Sequence, residues 1–529
     1  MAELFFRAED LQDDEVLNYL VETAFDREII DSLKGRSAVI LRGSRGVGKS
    51  FLLRTAAAEL RRDLPSERIL PVYVTFARAT LITNPTPQRF LAWMISKICN
   101  RIVRAAQGAG YDLPTHSSIA AIQGGSAAEP SRMEQIETLF EESWRLGTDS
   151  ADSATVPGPE MVRDAVEDLC ESSGLRRINL FVDEAAHVFI PQQQRQFFTL
   201  MRDLRSPYLS VKAAVYPGAT SFGDSFQPTH DATTLIVDRS ITDHAYAATM
   251  RQLVLRQDPS LQEGIKRYGE EFDTLAYAAS GNPRILLKTL ARSLPLNRRR
   301  VQDTIREYYR EAIWAEHSSL SDRYAGHSAL IEWGRRFIES QVLPDLYKRN
   351  LHRTSETSSY LWIHRHSPPA VREALRLLCY SGILQEGDSG IRATRSEVGT
   401  RYMVNLGCQI ALDADPVAYA THVRQALSIK RMIEYGANHH SYRPIDALNL
   451  NELEGTDSDA LRTRLRASID HLDISQFQRE KLAELRMATI GDVLASDEAI
   501  FKRAHYVGAV RARQMRNAAV AAVLEYLSG

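Results

Sequence analysis

Residues 37–50 read SAVILRGSRGVGKS, a short apolar run followed by a glycine-rich loop. The apolar run, Ala38–Leu41, has the length and composition of a buried β-strand. The loop from Gly43 to Ser50 fits the pattern G-x-x-x-x-G-K-[ST], and a helix-like segment, Phe51–Arg61, follows at once. A strand, a glycine loop and a helix in this order are the setting in which the pattern indicates a P-loop. The sequence therefore predicts a phosphate site at this turn.

The residue types of the loop explain how it would hold a nucleotide. Glycines let the backbone fold around a phosphate, so that N–H groups point inward at the start of a helix. Lys49 would place its ammonium group on the β- and γ-phosphates, and the Ser50 hydroxyl would be a Mg²⁺ ligand, so we expect ATP and Mg²⁺ here. The predicted nucleotide-binding residues are Gly43, Ser44, Arg45, Gly46, Val47, Gly48, Lys49 and Ser50.

Length and composition limit the classes of protein to consider. The 529 residues suffice for roughly three to four domains. A formal net charge of −2 excludes a globally basic protein, so any nucleic-acid surface must be local. The four cysteines form no C-x-x-C pair, which favours a reducing compartment over a disulfide framework or a zinc site. The acidic start MAELFFRAEDLQDDE is not a secretory signal and no apolar run approaches a membrane span, so we expect a cytoplasmic or nucleoid-associated protein without a membrane partner.

An acidic motif lies downstream of the loop. Arg177–Val182 is a strand-like run that ends in Asp183 and Glu184. Many strands end in acids, but at this distance from a P-loop the pattern resembles a Walker B motif. Asp183 would hold Mg²⁺, usually through water, and Glu184 would polarise the attacking water.

Other polar residues could complete the site. Thr220 follows the predicted strand Val211–Tyr216, where a sensor 1 residue would sit, although a turn or cap hydroxyl is the alternative. Arg284 follows Gly-Asn-Pro, which caps and starts a helix, so it could reach the γ-phosphate, or it could pair with a neighbouring acid. Candidates for an arginine finger, each also explained by a surface salt bridge, are Arg239, Arg202 and Arg205.

Together, the P-loop, the Walker B strand and the Gly-Asn-Pro-Arg helix start resemble the AAA+ ATPases of the origin recognition complex and archaeal initiator type. Similar cores occur in bacterial ATPases near mobile elements and phage-defence genes. The resemblance covers residues 15–315 and implies an α/β fold, with an αβα nucleotide core and a helical lid. It also implies Lys49 and Ser50 at the phosphates and Mg²⁺, Asp183 on the metal, Glu184 as catalytic base and Arg284 as sensor 2.

Composition and patterning also predict a domain order. The Gly-, Ala- and Ser-rich character of 107–160, interrupted by one helical piece (Arg132 to Arg145), indicates a flexible insertion in the core, with a partner-docking element as the alternative. The predicted order is a helical lead-in (1–35), the ATPase core (36–245), the lid (246–315), a winged helix-turn-helix (320–411), a linker (412–455) with a helix over Val417–Tyr435, and an all-α helix-hairpin-helix-like domain (456–529).

The predicted winged helix rests on a helix, Ala370–Tyr380, followed by Ile383–Arg392, which reads as a hairpin turning at Gly-Asp-Ser-Gly. Arg372 and Arg376 lie four residues apart, on one helix face suited to a DNA groove. Winged helices also dock proteins, and Glu373 dilutes this positive face, so both interpretations stay open. The arginines that would reach phosphates from the wing are Arg392 and Arg395.

The tail resembles the helix-hairpin-helix folds of DNA-repair proteins and of the polymerase α-subunit tail. In such hairpins, turn amides and nearby cations hold a backbone phosphate. Gly508 is the turn glycine, whereas Val510 replaces the usual second one, and the same fold is also used for protein contacts. The predicted DNA-binding residues are Lys502, Arg503, Gly508, Arg511, Arg513 and Arg516, with no acidic residue between Lys502 and Arg516.

These motifs, in this order, predict an ATP-dependent DNA-binding switch that hydrolyses ATP slowly and acts through a partner effector or a homo-oligomer. The rival hypothesis is a signalling or scaffold ATPase whose C-terminal modules bind protein. A translocating motor is disfavoured, because helicase motifs are absent from the sequence.

Overall fold

The P-loop strand belongs to a parallel sheet. The computed structural model describes residues 4–5, 8, 11–13, 15–76, 87–113, 116–123, 132–141, 156–185, 191–217, 220–323, 327–352, 355–393, 397–446, 465–472, 474–509, 511–512, 515–516 and 518–519. Over these ranges five parallel strands form one sheet: β1 (Val39–Arg42), β2 (Ile69–Thr75), β3 (Arg177–Asp183), β4 (Leu209–Val215) and β5 (Thr233–Ile236).

The strand order is β2-β3-β4-β1-β5, so β4 lies between the P-loop strand and the strand that ends in Asp183. In the register, Arg42 pairs with Val215, and Thr75 pairs with Asp183. Because the carboxyl ends of parallel strands meet at one edge, the segments after β1, β3 and β4 leave the sheet side by side. The predicted α/β class is confirmed, and the structure shows that the central sheet is parallel.

Helices cover both faces of the sheet because alternate strand residues point to opposite sides. Val39 and Leu41 pack in one core with helices α1 and α2, and Ile40 packs in the other core with α4, α7 and α8. The helices up to residue 307 are α1 (Ala24–Lys34), α2 (Lys49–Arg62), α3 (Leu64–Glu67), α4 (Pro87–Gly108), α5 (Ser117–Gln123), α6 (Arg132–Glu141), α7 (Pro159–Ser173), α8 (Pro191–Asp203), α9 (Pro228–Asp231), α10 (Tyr246–Gln257), α11 (Gln262–Arg267), α12 (Gly269–Ala278), α13 (Pro283–Ser293) and α14 (Arg298–Glu307).

The prediction of a flexible insertion at 107–160 is corrected where the structure describes it. Helices α5 and α6 lie in this segment and pack on α7 and α4. Met133, Ile136 and Phe140 recur at helical spacing and are buried in the sheet core, which holds α6 in place. Residues 124–131 and 142–155 lie outside the described residues.

The chain divides into two compact units, Met1–Ile305 with Asp415–Thr421, and Arg306–Ala414 with His422–Gly529. A second sheet, in the second unit, has the order β7-β8-β6-β9. Its strands are β6 (Tyr360–His364), β7 (Leu384–Arg392), β8 (Val398–Val404) and β9 (Ile433–Tyr435). The helices that follow α14 are α15 (Ile313–Ser318), α16 (Leu320–Arg323), α17 (Ser328–Phe337), α18 (Leu343–Leu351), α19 (Pro369–Tyr380), α20 (Leu406–Ile410), α21 (Pro416–Gln425) and α22 (Arg443–Asp446).

Two local predictions in this unit were wrong. The sequence Gly-Asp-Ser-Gly is not a hairpin turn, because β7 runs through it with shifts in register and pairs antiparallel with β8. The helix predicted over Val417–Tyr435 ends at Gln425, and β9 then pairs parallel with β6. Tyr435 and Tyr442 are buried, so residues 422 to 446 pack into the second unit instead of forming a linker.

The tail forms a small helical core of its own. Leu482, Ile490, Val493, Phe501 and Met515 are buried together. Its helices are α23 (Gln476–Glu484), α24 (Ile490–Leu494) and α25 (Glu498–Phe501), and the described residues from 509 to 519 are also helical. Within the described part of the chain, no helix has the length and apolarity needed to cross a bilayer.

Candidate functional site

The P-loop turns sharply between β1 and α2, and two glycines make this possible. Gly46 has φ +88° and Gly48 has φ +103°, in the left-handed region that other residues rarely adopt. A Cβ atom at Gly46 would lie 2.7 Å from Asn282 Oδ1, so a side chain is also excluded by space. Helix α2 begins directly after Gly48, and its N-terminus faces the turn, where the helix dipole favours an anion.

Lys49 is buried and crosses back over its own loop. Its Nζ donates hydrogen bonds to the carbonyl oxygens of Gly43 at 2.7 Å and Ser44 at 3.0 Å. The same ammonium group lies 4.2 Å from the ring centroid of Tyr216, which follows β4, a cation–π distance.

Burial lowers the pKa of Lys49 to about 7 from its ordinary value of 10.5. The negative charges of Asp183 and Glu184 oppose this fall, and the positive charge of Arg284 adds to it. The P-loop lysine, the acidic pair and the lid arginine are therefore close enough to interact electrostatically.

Residues outside the P-loop donate hydrogen bonds to three of its successive carbonyl groups. Two donors come from the start of α13 and one follows β5, so these two segments hold the outer side of the loop together. With these carbonyls engaged outward, the loop backbone can turn amides inward. The three bonds are Asn282 Nδ2 to Arg45 O at 2.7 Å, Arg284 N to Gly46 O at 3.4 Å and Arg239 Nη1 to Val47 O at 2.7 Å.

The acidic pair lies at the end of β3. Asp183 is buried, and its Oδ2 accepts a 2.6 Å hydrogen bond from the Tyr73 hydroxyl on β2. Its Oδ1 accepts a 2.9 Å bond from the backbone N–H of Glu184. Glu184 has φ +53°, a costly conformation of the kind that persists at functional sites.

One cavity of about 420 Å³ is lined by Lys49, Glu184 and Arg284, whereas the buried Asp183 is not among its lining residues. Residues from the P-loop, the β3 and β4 ends, the lid and the N-terminal segment all contribute to its wall. Near the N-terminus, Arg54 Nη2 donates to Leu11 O at 2.8 Å and Arg256 Nε donates to Asn18 O at 2.7 Å, which ties the lead-in to core and lid. The lining residues are Phe5, Ala8, Tyr19, Leu20, Val21, Asp26, Arg45, Gly46, Val47, Gly48, Lys49, Ser50, Phe51, Leu52, Thr75, Glu184, Tyr216, Arg239, Leu253, Gln257, Pro283, Arg284 and Leu287.

Some candidates lie elsewhere or have other partners. The Thr220 hydroxyl donates to Tyr216 O at 2.7 Å, the turn role that was its alternative, and Thr220 does not line the cavity. Arg239 also donates to Asp26 Oδ1 at 3.0 Å, so it is engaged within the chain. Arg202 donates to Ser225 O, and Arg205 lies 3.9 Å from an oxygen of Asp231.

Helix α19, whose twelve residues are all described, presents little surface. Arg372 is its only exposed residue. Arg376 is half-buried and pairs with Glu373 at 3.0 Å, so the predicted positive face is largely neutralised. Arg392, the last residue of β7, is exposed, and Arg395 lies outside the described residues.

The basic tail residues are at the surface. Lys502, Arg503, Gly508 and Arg511 are exposed and Arg516 is half-buried. The left-handed residue of the turn is Tyr506, two residues before Gly508, with φ +66°. Arg513 and Val510 lie outside the described residues.

The sequence did not predict a role in the site for three residues: Tyr73, Tyr216 and Asn282. Tyr73 and Tyr216 stand in or directly after predicted strands, but only the strand order reveals their contacts with Asp183 and Lys49. Asn282 was predicted as a helix cap, and its Oδ1 does accept from Ile285 N at 3.3 Å, but its amide also reaches the P-loop.

Comparison with protein-family models gave no match, and comparison with curated proteins gave none. Among solved structures, the chain is similar to the ORC1 protein of Aeropyrum pernix, in a structure described as a complex with DNA. The similarity covers 77% of this chain and 97% of that chain, at 16% sequence identity and a TM-score of 0.34.

Proposed function

We propose that this protein is an ATP-binding and ATP-hydrolysing switch of the Orc-like AAA+ type that binds DNA. One observation supports the nucleotide part most strongly. Lys49, Glu184 and Arg284 come from three separate segments and line a single cavity at the start of α2. Its volume of about 420 Å³ is within the range of small-molecule sites.

The residues of the cavity, together with the buried Asp183 behind Glu184 in the chain, fit a magnesium nucleotide. Lys49 would hold the β- and γ-phosphates, while Ser50 and Asp183 would hold the metal, which would neutralise charge on the phosphates. The donor set suits a hard cation, because it consists of a hydroxyl and a buried carboxylate. The two hydrogen bonds from Tyr73 and the Glu184 amide fix the orientation of that carboxylate.

Glu184 and Arg284 would supply the catalytic groups. Glu184 lines the cavity beside Lys49, where its carboxylate would orient and polarise the attacking water. Arg284, in the first turn of α13, would contact the γ-phosphate as sensor 2. For Thr220 to act as sensor 1, its hydroxyl would have to leave its hydrogen bond to Tyr216 O. Tyr216 is better placed for the sensor 1 role, since its ring lies over Lys49.

The hydrogen bonds between lid and P-loop supply a route from nucleotide to conformation. Asn282 and Arg284 both donate to loop carbonyls, so a change of loop shape on phosphate binding must alter the contacts of α13. A segment with two arrangements that a ligand distinguishes is the basis of a switch.

The exposed cations of the tail support the DNA part. Lys502, Arg503 and Arg511 are exposed beside the turn at Gly508, where phosphate contacts of a helix-hairpin-helix would form. Helix α19 exposes only Arg372 and pairs Arg376 with Glu373, so it is not part of the proposed DNA surface.

DNA affinity tests the whole proposal. The full chain is titrated into a labelled duplex with ATP, with ADP and as the Lys49→Ala variant. We expect the DNA affinity of wild type to differ between ATP and ADP. The DNA affinity of the Lys49→Ala variant should be the same with both nucleotides. Affinity should also fall steeply with salt, because phosphate contacts release counterions. Equal affinities in all three samples would contradict the switch, and absence of DNA binding at low salt would favour the scaffold ATPase.

A further inference from the structure

Tyr506, in the tail, has an exposed aromatic side chain and an unfavourable backbone conformation. Its side chain is 73% exposed, and its φ of +66° lies in the left-handed region. An aromatic residue at such a φ is strained, and a strained residue that persists is reason to look for a function. Among the non-glycine residues that the structure describes with positive φ, Tyr506 is the only aromatic one.

The surrounding turn holds Tyr506 in this conformation. Ala504 and Val507, on either side of it, are buried in the tail core. Arg511 Nη1 donates to the Tyr506 carbonyl at 2.6 Å, and its guanidinium group lies 5.0 Å from the ring centroid of Phe477. The backbone at Tyr506 is therefore held by the core on both sides and by one arginine.

Basic residues lie close to Tyr506 in the sequence, and one of them, Arg511, bonds to its carbonyl oxygen. Lys502, Arg503 and Arg511 are exposed, and no acidic residue occurs from Lys502 to Arg516. The ring of His505 lies edge-on to Tyr506 at 4.2 Å. An exposed ring among cations is the combination that proteins use to bind single strands, where bases stack on aromatic side chains and phosphates pair with basic ones.

We propose that Tyr506 stacks on an unpaired base of single-stranded DNA, while Lys502, Arg503 and Arg511 contact the adjacent phosphates. In an intact duplex each base face is already covered by its neighbours, so a protein ring reaches it only where the strand is unpaired. This inference rests on the proposed DNA-binding function and specifies its substrate as a single-stranded or unwound segment.

Three forms of the full chain test the proposal: wild type, Tyr506→Phe and Tyr506→Gly. The glycine variant relieves the positive φ, so its thermal stability should equal or exceed that of wild type. Binding is measured by anisotropy to a labelled single strand, its duplex and the RNA strand of the same sequence. A 2-aminopurine in the DNA strand reports stacking directly.

We expect wild type and Tyr506→Phe to prefer the single DNA strand and to quench 2-aminopurine. Tyr506→Gly should lose about tenfold in affinity for that strand, with the duplex affinity unchanged. Unchanged single-strand affinity in Tyr506→Gly, or tighter binding of the RNA strand, would overturn the inference but leave DNA binding by the tail intact. If wild type binds no DNA, the proposed function fails as well.

Discussion

Asn282 links the lid helix to the P-loop, and its two roles can be separated by substitution. Its Oδ1 caps α13 by accepting from Ile285 N, and its Nδ2 donates to Arg45 O. Asn282→Ala removes both bonds. Asn282→Ser keeps an oxygen that can cap the helix, but lacks the amide that reaches the loop.

The expected magnitudes follow from these two contacts. Loss of a helix cap costs about 1 kcal/mol, and loss of the bond to Arg45 O costs about 1 kcal/mol more. Asn282→Ala should therefore destabilise the lid and loop by about 2 kcal/mol, and Asn282→Ser by about 1 kcal/mol. Since 1.4 kcal/mol is tenfold, local opening should become roughly thirtyfold and fivefold more frequent, respectively.

Amide hydrogen exchange with mass spectrometry measures this opening in each segment. In Asn282→Ala, peptides covering the P-loop and α13 should both exchange faster. In Asn282→Ser, acceleration should be confined largely to the loop peptide. Identical profiles for the two variants would refute the separation of cap and link, and wild-type exchange of the loop in Asn282→Ser would show that the amide does not hold it.

Three more predictions concern single contacts of the cavity. Burial lowers the pKa of Lys49 to about 7, and a bound polyanion favours its charged form, so nucleotide binding at pH 8 should take up a proton and weaken as pH rises. Calorimetry in buffers of different ionisation enthalpy should detect this proton uptake. The Lys49→Arg variant, whose side chain stays charged, should abolish the uptake. Tyr73→Phe removes the hydrogen bond to Asp183 and should reduce Mg²⁺-dependent phosphate release about tenfold while Mg²⁺-free nucleotide affinity stays constant; a wild-type rate would contradict the orienting role. Arg239→Met leaves Asp26 buried without its cation and should lower the free energy of unfolding, measured by thermal denaturation, by about 3 kcal/mol. If the ion pair is the cause, adding Asp26→Asn to this variant should partly restore the stability.

The sequence predicted those parts of the site that are continuous in the chain. The strand, glycine loop and helix around Lys49, and the strand ending in Asp183 and Glu184, carry their pattern locally. The contacts of Tyr73 and Tyr216 depend on β2 lying beside β3, and on β4 lying between β3 and β1. Such neighbour relations are set by tertiary packing, which no local pattern encodes.

The local errors have separate physical causes. In the insertion, the helix between the Gly- and Ser-rich flanks was predicted, but its packing onto α4 through Met133, Ile136 and Phe140 is a tertiary contact that the flanks do not indicate. In β7, glycines that usually mark a turn are accommodated by shifts in register within one strand. Strand β9 has only three residues, and its pairing with β6 is a long-range contact.

Titration of Mg-ATP with parallel measurement of phosphate release shows whether the cavity over Lys49 binds and hydrolyses ATP. Wild type should bind one nucleotide per chain and release phosphate. Lys49→Ala should bind at least about tenfold more weakly, and Glu184→Gln should bind normally while its rate falls by about a hundredfold or more. Wild-type affinity in Lys49→Ala, or an undiminished rate in Glu184→Gln, would contradict the account.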